Sequence, residues 1–112
     1  MKSRLDQWFN VGPVASLPVG EIYPISVEER DLILVRLEDG SVYCCVDACA
    51  HQPVKLSEFG EVVGSRIHCH AHGAQFDLCQ SGKNLCFPAV EPLAMVGVKL
   101  QGGDVFINLI ES

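Results

Sequence analysis

Apolar residues in this chain come in short runs, and each run is closed within a few residues by Gly, Pro or an Asp-Gly pair. That rhythm leaves little room for long helices and favours strands. Trp8 to Val14 reads as a strand, stopped by Pro13 and the turn Leu17-Pro18-Val19-Gly20. Glu21 to Val27 reads as a second. Asp31 to Leu37 and Val42 to Val46 flank Glu38-Asp39-Gly40-Ser41, and Asp-Gly between apolar runs marks a hairpin. Met95 to Leu100 and Val105 to Leu109 flank Gln101-Gly102-Gly103-Asp104, a second hairpin. Only Val54 to Phe59 suggests a helical period. The expected class is all-β and antiparallel.

The length of 112 residues fits a single domain. Eight Lys+Arg against fourteen Asp+Glu give a net charge of −6. That charge argues against nucleic acid, whose binding rests on Lys and Arg neutralising phosphates. The longest aliphatic run, Leu32-Ile33-Leu34-Val35, is far short of the ~20 residues of a membrane span. Met1 to Trp8 has no apolar stretch of the kind a signal peptide carries. The expectation is a cytoplasmic protein away from membranes, where thiols stay reduced. Its six cysteines then point to metal or spare thiols rather than a disulfide framework.

The middle of the chain, about Asp47 to Lys83, reads as loop-like and holds all four histidines. It contains Cys49-Ala50-His51 and, with seventeen residues between His51 and Cys69, Cys69-His70-Ala71-His72. Each cluster offers one thiolate and one imidazole, ligands suited to zinc, copper or iron–sulfur centres rather than calcium or magnesium. A structural zinc site usually pairs Cys with Cys and His with His. A 2Fe–2S centre with two Cys on one iron and two His on the other would draw on mixed halves. Both readings are open on spacing alone.

Cys49-Ala50-His51 followed by Cys69-His70-Ala71-His72-Gly73 resembles the C-x-H…C-x2-H signature of Rieske proteins. The resemblance extends to Leu56-Ser57-Glu58-Phe59-Gly60 and Val62 to Ile67 between the two loops. It continues through Phe76-Asp77-Leu78 after the second loop and the proline loop Phe87-Pro88-Ala89-Val90-Glu91-Pro92-Leu93. Trp8 to Gly20 is similar to the family's opening. It implies a Rieske fold: a sandwich or barrel-like antiparallel base, about 1–45 and 84–112, with a smaller two-loop cluster-binding subdomain, about 46–83. It implies one 2Fe–2S cluster, with Cys49 and Cys69 on the inner iron and His51 and His72 on the outer. His70, adjacent to Cys69, is left out as a ligand. His68 reads as an ordinary strand residue, and Gly73 as the point where backbone passes close to the cluster.

High-potential members of the family carry an inter-loop disulfide and two hydroxyls after the second loop. The matching positions here are Val54 and Ala71, then Ala74 and Phe76. The resemblance therefore implies a potential near the low end of the roughly −150 to +300 mV Rieske range. It is closest to the Rieske-type ferredoxins. These pass single electrons from a flavin- or NADH-linked reductase to a terminal, often ring-hydroxylating, oxygenase, with no catalysis and no small-molecule substrate of their own. The alternatives are a small Rieske subunit of a reductase such as assimilatory nitrite reductase, or a structural Cys2His2 zinc module. Cys44 and Cys45 are expected to face opposite sides of a strand, one of them in the core. Cys79 and Cys86 are expected to be packing residues, and Trp8 to pack on the sheet. Counting charges along the segment from Val46 to Lys83 leaves a nearly neutral tip on an acidic body.

Overall fold

Leu32-Ile33-Leu34-Val35 is apolar without alternation, as befits a strand covered on both faces. In the computed structural model, which describes residues 8–48, 54–70, 73–85 and 92–109, all four are almost fully buried. They lie on β3 (Arg30–Arg36), between β2 (Ile22–Val27) and β4 (Val42–Val46). With β1 (Phe9–Pro13), β9 (Met95–Gln101) and β10 (Asp104–Asn108), these form a curled six-stranded antiparallel sheet. Its order is β1-β10-β9-β4-β3-β2.

The two sides of β3 face different cores. Leu32 and Leu34 pack with Leu17, Val42, Cys44, Val105 and Ile107 inside the curl. Ile33 and Val35 pack with Cys45, Leu56, Ile67, Cys69, Phe76, Leu78 and Leu93 on the other side. Cys44 and Cys45 do face opposite ways, but both are buried. The expectation of one core cysteine is corrected, because the sheet has no solvent face at this point.

The expected hairpins are present. Leu37 and Ser41 close the Asp39-Gly40 turn through a 2.9 Å bond from Leu37 N–H to Ser41 O. Gly102 and Gly103, at φ 61° and 83°, make the turn between β9 and β10. The turn between β2 and β3 has no glycine. Glu28 and Glu29 occupy it at φ 52° and 64°, in the left-handed region that L-residues avoid. Pro24 is accommodated because β2 is an edge strand.

Among its described residues the middle of the chain is not loop-like, which corrects the sequence reading there. A short helix α1 (Leu56–Phe59) leads into β5 (Gly60–Val63), β6 (Arg66–Cys69), β7 (Ala74–Asp77) and β8 (Lys83–Asn84). These four form a second antiparallel sheet in chain order. Its strands are too short for a periodic signal. The inner face, with Ile67, Cys69, Ala74 and Phe76, lies on the Ile33–Val35 side of the large sheet. Among the described residues, no helix is long and apolar enough to cross a membrane.

The charge distribution is also corrected. Asp31 O accepts from Asp47 N–H at 2.9 Å, so the Glu28-Glu29 turn lies at the same end as the loop after β4. Segment counting misses these acids because they are distant only along the chain.

Candidate metal centre

The first cysteine–histidine segment leaves β4 at Val46 and returns at α1. Leu56 anchors the return, fully buried. Ahead of the segment stands Asp47, 6% exposed. Its carboxylate accepts from the Ser57 N–H at 2.8 Å and from the Ser57 hydroxyl at 2.6 Å. One of the N–H groups that a helix start leaves unpaired is thereby satisfied from outside the helix. Lys55 adds an exposed ion pair to Asp31 at 3.1 Å, which raises the Lys55 pKa. Where α1 meets β5, a Cβ on Gly60 would stand 2.5 Å from Leu56 O and 2.8 Å from Ile22 Cδ1, so only glycine fits.

The second segment grows from the β6–β7 hairpin. Cys69 ends β6, is fully buried, and stands opposite Ala74. Gly73 N–H donates to Cys69 O at 2.8 Å, with Gly73 at φ 75°. That positive φ favours glycine. His70 N–H donates to Phe59 O at 2.8 Å. The exit of the first segment is therefore bonded to the start of the second, and the two roots lie side by side.

Cys49, His51 and His72 lie outside the described residues, as do Ala71, Cys86 and residues 87–91 of the proline loop. Of the four expected ligands the structure places Cys69. Among the described residues no three metal-binding side chains come together. The exposed His70 ring instead meets Glu61 Oε1 at 2.8 Å. His68 is a half-buried β6 residue, and its Nε2 has no partner among the described residues. Cys44, Cys45, Cys69 and Cys79 are unpaired thiols. Burial pushes the Cys44 thiol up to about 12 and raises Cys45 as well, so neither supplies a thiolate near neutral pH. Cys79 is exposed, with the Tyr43 hydroxyl 3.5 Å from its sulfur. Trp8 packs on the sheet, with Lys99 Nζ 4.5 Å from its ring centroid.

The family model described as the Rieske [2Fe-2S] domain matches residues 7–100. This chain belongs to the Rieske family. One relative is the 3-phenylpropionate/cinnamic acid dioxygenase ferredoxin subunit of Escherichia coli (strain K12). It is 35% identical over 100 residues, covering 89% of this chain and 92% of that protein. Among solved structures, the ferredoxin of carbazole 1,9a-dioxygenase from Nocardioides aromaticivorans IC177 has a TM-score of 0.79 at 25% identity. It covers 91% of this chain and 97% of its own. A chain in the complex of reduced oxygenase and oxidized ferredoxin in carbazole 1,9a-dioxygenase has a TM-score of 0.77 at 29% identity. The match covers 88% of this chain and 99% of that one.

Family membership brings one Rieske 2Fe–2S cluster as cofactor in place of the zinc alternative. The residues present fit it. Two thiols and two imidazoles are the required donor set, and the roots of both segments are tied together beside the buried Cys69. Asp47 and Ser57, which tie the two ends of the first segment to each other, were not singled out from the sequence. Their pairing is tertiary, and no local pattern marks it.

Proposed function

We propose that this Rieske protein is an electron-carrying ferredoxin of a multicomponent ring-hydroxylating dioxygenase system. It takes single electrons from a flavin- or NADH-linked reductase and delivers them to a terminal oxygenase. The supporting observation is the match along nearly the full length of proteins that are themselves dioxygenase ferredoxin subunits. That match favours a carrier over a reductase subunit. The chain is an electron-transfer protein and not an enzyme.

Cys49 and Cys69 are assigned to the inner iron, and His51 and His72 to the outer iron nearer the partner. The cluster supplies a site that gains and loses one electron. The protein's part is to hold the ligands and keep water from the inner side. Cys69 sits in an apolar core with Ile33, Ile67 and Phe76, which shields that side. Ala74 and Phe76, both buried, present no hydroxyl to the centre, and Val54 offers no thiol for an inter-loop disulfide. These residues support a potential near the low end of the family range. The domain reads as one unit, its base at about 1–45 and 84–112 and its cluster-binding part at about 46–83. The two sheets support that division. Cys44, Cys45 and Cys79, thiols in no disulfide, support a cytoplasmic location.

The test is reconstitution with iron and sulfide, followed by turnover with a dioxygenase ferredoxin reductase and its oxygenase. The expected result is oxygenated product that depends on this protein, with a low average g value in the reduced EPR spectrum. A colourless protein that fails to support turnover would refute the reading.

A further inference from the structure

The first cysteine–histidine segment begins and ends on one side chain. Asp47 precedes Cys49 by two residues, and Ser57 lies just beyond the segment's return into α1. Both Asp47 carboxylate oxygens are engaged, one by the Ser57 N–H and one by its hydroxyl. The Asp47 N–H is fixed in turn on Asp31 O at 2.9 Å. The tie reaches the second segment too, through α1 and the bond from His70 N–H to Phe59 O at 2.8 Å. One buried carboxylate thus ties residue 47 to residue 57 and, through α1, to His70 beside Cys69.

Asp47 also carries a charge. The two donors it meets are neutral, while the nearby Lys55 ammonium, which feels the Asp47 charge, spends its hydrogen bond on Asp31. A buried carboxylate whose hydrogen-bond donors are all neutral opposes the arrival of an electron on a nearby centre.

We propose that Asp47 is a positioning residue for the cluster, fixing the span of the segment that bears Cys49 and His51 and holding the potential down by its charge. This rests on Cys49 and His51 being ligands. Partners that orient ligands in this way tune a metal site without touching the metal.

The test uses the reconstituted holoprotein with Asp47→Asn, Ser57→Ala and, as a control, Cys49→Ser. Asp47→Asn keeps a carbonyl for the Ser57 N–H and an amide facing its hydroxyl, but loses the charge. Its potential should rise, with far-UV circular dichroism unchanged. Ser57→Ala keeps the charge and frees one carboxylate oxygen. It should bleach about tenfold faster than the parent under chelator and shift the reduced EPR spectrum. Parent-like potential, spectrum and bleaching rate in both variants, even with a lower melting temperature, would overturn the proposal and leave Asp47 a structural pin. The control separates the two claims. If Cys49→Ser loses its cluster while both variants stay parent-like, only the inference falls. If Cys49→Ser keeps a parent-like centre, the ligand reading falls and the inference with it.

Discussion

Ala74→Ser should raise the reduction potential of the holoprotein by about 40 mV, a direction that follows from the β6–β7 register. Cys69 and Ala74 are directly opposite, both are buried, and both face the same core. Opposed Cβ atoms in an antiparallel pair stand about 4.5–5.5 Å apart, so a serine hydroxyl here comes within reach of Cys69 Sγ. A hydrogen bond to a charged group contributes about 1.5–3 kcal/mol. Only the difference between the reduced and oxidised states moves the potential. If that difference is ~1 kcal/mol, it converts to ~40 mV at the 59 mV per tenfold of a one-electron couple. The competing outcome is a hydroxyl that misses the sulfur. An unsatisfied buried hydroxyl costs about 1–3 kcal/mol, or roughly 4–8 °C of melting temperature per kcal/mol in a domain near this size. An anaerobic redox titration followed by EPR, paired with a melting curve, separates the two. A higher potential with near-parent melting is expected. An unchanged or lower potential would refute the placement of Ala74 beside a ligand.

Phe76→Tyr tests the second missing hydroxyl. Phe76 is fully buried among apolar side chains, so the same titration and melt will show either a raised potential or a loss of about 1–3 kcal/mol. Replacing Glu28-Glu29 by Asn-Gly relieves two residues at positive φ, each strained by about 1–2 kcal/mol. Offset by about 0.5–1 kcal/mol for the glycine, this should raise the melting temperature by several degrees. A lower melting temperature would contradict the turn. Burial raises the Cys44 and Cys45 thiols, so the unfolded chain ionises first as pH rises. Stability should therefore be full below about pH 9 and fall above it, by about 1.4 kcal/mol per pH unit for each thiol. Urea titrations from pH 8 to 10.5 should show this fall, and Cys44→Ala with Cys45→Ala should flatten it.

The parts legible in the sequence were those written in local chemistry. Asp39-Gly40 and Gly102-Gly103 marked their hairpins because tight turns need positive φ. The Cys49…His72 pattern marked the family because iron–sulfur chemistry restricts residue type and spacing. The Glu28-Glu29 turn was hidden because it uses residues that ordinarily avoid its conformation. The second sheet was hidden because β8 spans only Lys83–Asn84 and the other strands four residues each. Cys44 and Cys45 misled because alternation assumes a solvent face, which β4 lacks there. Asp47 was hidden because its partner, Ser57, is brought near by the fold and not by spacing.

The double-sided burial of β3 has a consequence for how the protein opens. A strand with one wet face can fray while its neighbours hold. Leu32 to Val35 have no wet face, and each half of the molecule loses a wall if they leave. Their amides should therefore exchange with solvent only through global opening. Removal of the iron would then speed exchange as far away as Val105 and Ile107 on β10, which share the Leu32–Leu34 core.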